Sequence, residues 1–242
     1  MLEVILIGAA TALATGLGAV PVFFLGGAAA GWQPALWGLA AGIMAVAAVV
    51  GLTLPALDEG STRTVVTGLA VGVAFLLTSR ALLARRDPSV DGRTGASVRT
   101  SVLVFGVLLV HSLPEGFAIG TAYASDDAAL SLFVILAIGL QNVPEGTSVA
   151  IPMFEAGFGR ARMFWAGVLT SVPQPIGAGI AYAAVETVES LLPASFAFAA
   201  GAMAALVVTD LLPPALRNPP AGIAGVTVGA GGMLLFSLVL GV

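Results

Sequence analysis

The sequence predicts an all-α integral membrane protein, and three observations carry that prediction. The 242 residues are 58% hydrophobic and only 9% charged, and their mean hydropathy is +1.05. A soluble domain of this size contains about 25% charged residues. Apolar runs of ~20 residues, the length that a helix needs to cross a bilayer, recur throughout the chain.

Eight such runs predict eight transmembrane helices in a single membrane domain that covers residues 1–242. Polar or glycine- and proline-containing segments separate the runs, among them Gly26–Gly27 and Asp126–Asp127. The longest connection, at about 84–100, is rich in Arg, Asp and Gly and is expected to form a short cytoplasmic loop. The predicted helices are Val4–Leu25, Leu36–Ala56, Val65–Leu83, Val102–Tyr123, Ala129–Met153, Phe164–Val185, Leu192–Leu212 and Ile223–Leu240.

The arginines predict which side of the membrane each connection faces. All nine basic residues are arginine, and in an eight-helix arrangement only Arg63 lies on one of the two sides. Because positively charged connections stay in the cytoplasm, both termini are expected on the outer side of the cell (plasma) membrane. The arginines on the cytoplasmic side are Arg80, Arg85, Arg86, Arg93, Arg99, Arg160, Arg162 and Arg217.

Two similar strings lie inside the fourth and fifth predicted helices. They are H-S-L-P-E-G at His111–Gly116 and Q-N-V-P-E-G at Gln141–Gly146. In each string a polar residue and a glutamate are four positions apart, so both side chains point from one helical face. A charge at membrane depth costs roughly 2.5–3.5 kcal/mol on insertion scales and usually faces the bundle interior. No arginine lies at the depth of Glu115 and Glu145, so a bound metal cation is the expected partner.

The other polar groups at this depth narrow the class of cation. Besides His111 they are Gln141, Asn142 and Gln174, and Met44 lies near the centre of the second helix. Imidazole and thioether groups favour divalent transition metals, whereas Mg²⁺ and Ca²⁺ prefer oxygen-only shells. The set predicts a site for Zn²⁺, Cd²⁺ or Fe²⁺. Gln174 is equally consistent with interhelical hydrogen bonding, and Met44 by itself with core packing.

Composition excludes several functions and leaves two alternatives open. With no cysteine, disulfides and thiolate metal sites are excluded, and with no lysine a phosphate-binding G-x-x-x-x-G-K-[ST] loop is excluded. A net charge of −4 is a poor match for nucleic acid. No enzyme activity and no prosthetic group are expected. The alternatives are an intramembrane metallohydrolase, although H-E-x-x-H is absent, and a proton-coupled carrier of an organic solute.

At the two P-E-G motifs the chain resembles the ZIP (Zrt/Irt-like) family of divalent metal transporters, most closely its prokaryotic branch. The resemblance covers essentially the whole chain. It implies helices 1–3 and 6–8 as inverted repeats around a central helix 4–5 pair, a common transporter design. It also implies metal transport into the cytoplasm by alternating access. Zinc is the first expected substrate, and iron, cadmium, manganese or cobalt are the others.

Carried over residue by residue, the resemblance implies a metal site with a neighbouring second position. The metal ion and the lipid membrane are the expected partners, nucleic acid is not, and a homodimer stays open as the assembly. The second or transit site would use Ser112 and Gln174, neither of which is a carboxylate, so one tightly held ion per chain is expected. The principal site would use Met44, His111, Glu115, Gln141, Asn142 and Glu145.

Overall fold

The computed structural model describes residues 1–83 and 96–242, and within those ranges it contains helices and no β-strand. Most of the predicted loop at 84–100 therefore lies outside the described residues. Its last residues, 96–100, belong to a helix that begins at Ala96 rather than at the predicted Val102.

The first part of the chain is more segmented than predicted. The expected helix Val4–Leu25 is wrong as one continuous helix, because a turn at Gly18 and Ala19 divides it. The Cα of Gly18 lies against the Val143 carbonyl oxygen, and Pro21, which follows the turn, has no N–H to donate. The elements are α1 (Leu2–Leu17), α2 (Val20–Leu25), α3 (Gln33–Val46), α4 (Leu54–Glu59) and α5 (Thr62–Leu83).

Two irregular segments join these helices. A 3₁₀ segment, Gly26–Trp32, begins at Gly26 with φ at 54°, a backbone region that favours glycine, and it separates α2 from α3. The predicted break at Gly26–Gly27 is thereby confirmed. A π-helical segment, Ala47–Thr53, joins α3 to α4, so the second predicted helix continues with wider turns.

The second part of the chain contains the two motif helices. The predicted continuous helix Phe164–Val185 is wrong, because the chain turns at Ser171 just before Pro173. Gln174 therefore lies in the first turn of a new helix rather than midway along one. The elements are α6 (Ala96–Ala124), α7 (Ala128–Glu155), α8 (Arg160–Thr170), α9 (Pro173–Thr187), α10 (Leu192–Leu206), α11 (Leu212–Ala215) and α12 (Pro219–Leu240).

A second π-helical segment, Val207–Leu211, joins α10 to α11. Across the described residues, seven helical runs are long and apolar enough to cross a membrane. The first of them is 58 residues long and includes α1 to α4. The runs are Leu2–Glu59, Thr62–Leu82, Thr100–Ala124, Ala128–Glu155, Arg160–Thr187, Glu189–Ala215 and Pro219–Leu240.

Five helix pairs make the most extensive contacts, and they position the site. The pairs are α3 with α12, α6 with α9, α5 with α10, α1 with α7, and the two motif helices α6 and α7 with each other. Each motif helix therefore has the other as a neighbour and a different partner, α9 or α1, packed along it.

Candidate metal centre

All the residues predicted for the site lie in the interior of the protein. Each side chain is at most 2% exposed, which is unusual for glutamate, histidine and amide residues. Both motif helices run unbroken through Pro114 and Pro144. The buried set is Met44, His111, Ser112, Glu115, Gln141, Asn142, Glu145 and Gln174.

Amide groups from two other helices hold the carboxylate of Glu115. Gln141 Nε2 on α7 donates to Glu115 Oε1 at 2.7 Å, and Gln174 Nε2 on α9 donates to Glu115 Oε2 at 2.7 Å. Each carboxylate oxygen therefore accepts one amide N–H. Both oxygens of this buried carboxylate therefore have hydrogen-bond partners within the protein.

A residue that the sequence did not single out, Thr11 on α1, fixes the orientation of these amides. Its backbone carbonyl accepts from Asn142 Nδ2 at 2.7 Å, and its Oγ1 contacts Gln174 Oε1 at 2.8 Å. Asn142 and Gln174 also bond to each other, through Nδ2 to Oε1 at 3.1 Å and Nε2 to Oδ1 at 3.2 Å. Because a backbone carbonyl can only accept, Asn142 has to turn its Nδ2 group towards Thr11, and there it also donates to Gln174 Oε1. With its oxygen held in this way, Gln174 directs its amide N–H group to Glu115. The signal in the sequence was the pair Thr11 and Thr15, four positions apart in an apolar helix.

Three of the predicted residues carry polar atoms that have no hydrogen-bond partner among the described residues. These atoms are both ring nitrogens of His111, Gln141 Oε1 and Glu145 Oε1. Buried polar atoms are nearly always paired in native proteins, so unpaired ones in one region call for a partner. Imidazole nitrogen, amide oxygen and carboxylate oxygen are all metal ligands.

The remaining predicted residues are less directly connected to this group. Ser112 Oγ donates to the Leu108 carbonyl of its own helix at 2.9 Å. Met44 belongs to the large apolar cluster of the core, on α3, which packs against α7. In the described part of the chain, no three His, Cys, Asp or Glu side chains are grouped so that they could hold a metal ion. A metal bound here therefore needs amide, thioether or water ligands, or a rearrangement of the carboxylates.

A cavity connects His111 to one face of the molecule. Its volume is about 420 Å³, and its lining includes His111, Ser148, Arg80, Asp210, Glu155 and Arg217. Arg80 lies in the last turn of α5, Glu155 is the last residue of α7, and Arg217 lies just beyond the end of α11. The cavity therefore opens on the face where these three helices end.

A separate cavity of about 490 Å³ lies between the ends of α4 and α12 and the turn before α7, on the opposite face. Asp58, Glu59 and Asp127 line it, together with Val242 at the carboxyl end of the chain. None of the predicted site residues lines this second cavity. Of the proposed principal ligands, His111 thus lines the cavity on the arginine-bearing face, where Arg80 and Arg217 lie, and none lines the cavity on the acidic face, where Asp58, Glu59 and Asp127 lie.

The last glycine of each motif allows a neighbouring backbone to approach the site. Gly116 lies against the backbone carbonyl of Gln174 on α9, and Gly146 lies against the backbone carbonyl of Thr15 on α1. A Cβ at either position would overlap that carbonyl oxygen. Both glycines therefore permit close helix packing, which brings Gln174 within reach of Glu115 and Thr11 within reach of Asn142 and Gln174.

Long apolar helices, a buried polar site with unpaired ligand-type atoms and a cavity that joins it to one face are the features of a membrane transport protein. The ZIP zinc transporter family model matches residues 86–237, which include both P-E-G motifs. The chain belongs to the ZIP family, as the motifs indicated.

Relatives in several organisms agree with this assignment. The zinc transporter GufA of Myxococcus xanthus is 30% identical over 85% of this chain and 85% of its own length. The zinc transporter ZIPB of Bordetella bronchiseptica is 33% identical over 96% of this chain and 78% of its own length. A protein of Arabidopsis thaliana named as a zinc transporter is 35% identical over 86% of this chain, which spans only 34% of that longer protein.

Proposed function

We propose that this chain carries divalent transition metal ions, zinc first, across the cell membrane into the cytoplasm. The observation that carries the proposal is the group of unpaired buried atoms, namely the ring nitrogens of His111 with Gln141 Oε1 and Glu145 Oε1. The zinc transporters GufA and ZIPB, which align over most of their length, support zinc as the first substrate. Iron, cadmium, manganese and cobalt are the other substrates of the proposal, since the same ligand types suit them.

His111, Glu115 and Glu145 are the proposed principal ligands, and Gln141, Asn142 and Met44 are auxiliary ones. His111 is neutral at physiological pH when it binds a metal, so the two glutamates would supply the charge that balances a divalent ion. The Glu115 oxygens are already bonded to amides, so metal binding would exchange an amide N–H for the ion. Such weak auxiliary ligands suit a carrier, because the site has to release its ion.

Eight membrane crossings with inverted repeats form part of the proposal. A straight helix of 58 residues would be about 87 Å long, whereas the bilayer core is ~30 Å thick, so the first run would cross twice. The positive φ of Gly26 lies between the two crossings. The main helices of crossings 1 to 8 are α1, α3, α5, α6, α7, α9, α10 and α12. An inverted repeat exchanges crossing 1 with 6, 2 with 7, 3 with 8, and 4 with 5. This exchange converts the α3–α12 pair into α10–α5 and the α1–α7 pair into α9–α6. All four pairs make extensive contacts, which supports the repeat.

Inward transport with both termini outside is the proposed direction. It is supported by the charges at the two faces. Arg80 and Arg217 line one cavity together with Glu155 and Asp210, whereas the charged side chains that line the other cavity, Asp58, Glu59 and Asp127, are all acidic. Positively charged ends stay in the cytoplasm, and an acidic vestibule raises the local concentration of cations. A potential of ~100 mV, negative inside, would drive a divalent ion inward by roughly 4.6 kcal/mol, at about 2.3 kcal/mol per charge.

Metal uptake into proteoliposomes that contain the purified chain tests the function. We expect zinc to accumulate when a negative interior potential is imposed and not in protein-free vesicles. Protease activity without uptake would favour the intramembrane metallohydrolase. Uptake of an organic solute driven by a pH gradient, without metal movement, would favour the solute carrier. Cross-linking in the same vesicles measures whether the chain is a homodimer.

The stoichiometry of binding gives a first prediction. At the second position, Gln174 donates an amide N–H to Glu115 Oε2 and supplies no negative charge for a second ion. Two divalent ions a few ångströms apart would bring four positive charges against two carboxylates, and neutral ligands screen that repulsion poorly. We expect equilibrium dialysis to find one tightly held zinc ion per chain. Gln174→Glu should add a second ion, because it replaces an amide donor by a carboxylate beside two others.

The matched control is Gln33→Glu, which adds the same charge at the start of α3, in the lining of the 420 Å³ cavity. It should leave the stoichiometry at one tight ion. Two equally tight ions in the unmodified chain would contradict the prediction, and so would a Gln174→Glu protein that binds only one.

A further inference from the structure

An ion pair lies beside the route between His111 and the arginine-bearing face. Arg80 Nε on α5 is 3.2 Å from Asp210 Oδ1. The other carboxylate oxygen, Asp210 Oδ2, accepts a hydrogen bond from Thr209 Oγ1 at 2.6 Å. The Asp210 side chain is 14% exposed and that of Arg80 is 44% exposed. Both oxygens of Asp210 are therefore engaged by protein groups, although the carboxylate lies beside open space.

Both members of the pair share that space with His111. They line the 420 Å³ cavity, and they also line a small cleft together with Leu76, Val107, Val110 and His111. The cavity's other charged groups, Glu155 and Arg217, do not line the cleft. Asp210 is thus the carboxylate that an ion would meet first after leaving His111 on this side.

The local backbone presents Asp210 to Arg80. Asp210 lies in the π-helical segment Val207–Leu211, and Thr209 Oγ1, which contacts Asp210, is also 2.9 Å from the Ala205 carbonyl oxygen. A π-helical turn holds an additional residue and so redirects the side chains that follow it, and such turns are frequent at functional sites. Arg80 lies in the last turn of α5, the helix that packs along α10.

A free carboxylate at this point would bind a divalent cation and retain it. The Arg80 guanidinium prevents this because it is permanently charged, presents donors only and cannot be a metal ligand. We propose that Arg80 is a positioning residue for metal release, which holds Asp210 in an ion pair so that a divalent ion passes from His111 to the arginine-bearing face without being captured. This rests on the proposed transport function.

Zinc binding and zinc uptake by Arg80→Gln test the proposal. Binding is measured by equilibrium dialysis of the full chain in the His111→Ala background, so that ions at the central site do not contribute. We expect Arg80→Gln to bind zinc about tenfold more tightly or better than the His111→Ala chain does, since an unpaired carboxylate attracts a divalent ion strongly. In the His111-containing chain, Arg80→Gln should reduce the maximal uptake rate several-fold with little change in KM.

Three further variants separate release from a merely structural role. The double variant Arg80→Gln/Asp210→Asn should lose the added zinc binding and recover uptake, because the carboxylate is then neutral. Arg80→Lys, which keeps a positive charge, should remain close to the unmodified chain in both measurements. The matched control Arg217→Gln removes the same charge from the same cavity without releasing Asp210, and it should add no zinc binding.

The outcomes are distinct. Added binding that depends on Asp210, together with slowed uptake, supports the proposal. It is overturned if Arg80→Gln adds no zinc binding, if uptake stays normal despite the added ion, or if the double variant remains as slow as Arg80→Gln. The last result would mean that the ion pair only joins α5 to the π-helical segment. Absence of uptake by the unmodified chain would instead overturn the transport function itself, and the release role with it.

Discussion

Replacing His111 by alanine is expected to remove nearly all zinc uptake while the protein still folds and reaches the membrane. Both ring nitrogens lack hydrogen-bond partners among the described residues, so truncation leaves no partner unsatisfied. Loss of a group behind a metal ligand costs roughly 10–100-fold in metal affinity or activity, so loss of a proposed ligand should reduce uptake by about 100-fold or more. Glu145→Ala should have a similar effect, since Glu145 Oε1 is also unpaired. Uptake of radioactive zinc, normalised to the protein in the membrane, measures both.

The same helix offers a control for this experiment. Thr121 on α6 is fully buried and its Oγ1 is also unpaired, but it lies outside the predicted site. Thr121→Ala should retain uptake near the unmodified level, which shows that a buried truncation on α6 is tolerated. A well-expressed His111→Ala protein with near-normal uptake would remove His111 from the site and leave the proposed ligand set without its only imidazole.

The sequence was most informative where chemistry and spacing coincide. His111 and Glu115, and likewise Gln141 and Glu145, are four positions apart in otherwise apolar helices, and all four prove to be buried. A charge in an apolar helix has to be compensated, so such residues can be recognised as candidate site residues from the sequence without knowledge of the fold. Family membership followed from the same two motifs and is confirmed.

The sequence was least informative where backbone geometry depends on a distant part of the chain. At the turn after α1, Gly18 lies against the Val143 carbonyl oxygen, a contact that hydropathy does not predict. Thr11 contributes a backbone carbonyl to the amide network, and every residue has such a carbonyl. Asp210 pairs with Arg80 from within a π-helical turn, which no local sequence pattern indicated.

The glycines of the two P-E-G motifs give the second large effect, on folding rather than on metal binding. Gly116→Ala and Gly146→Ala each place a Cβ in overlap with a backbone carbonyl, of Gln174 and Thr15 respectively. A backbone contact cannot be relieved by a side-chain rotation, so the helices have to separate. Added core volume typically costs 1–3 kcal/mol and occasionally more, and we expect each variant to lose about that much or more.

The loss of stability should lower the midpoint temperature of thermal unfolding, measured in detergent, and the yield of monodisperse protein. Gly231→Ala is the matched control, because Gly231 lies within α12 and nothing would come within 4 Å of its Cβ. In that open position alanine favours the helix over glycine by roughly 0.8–1.0 kcal/mol, so the midpoint should stay or rise. If Gly146→Ala instead unfolds like Gly231→Ala, then α1 and α7 do not meet at the second motif, and the positioning of the amide network by Thr11 loses its structural basis.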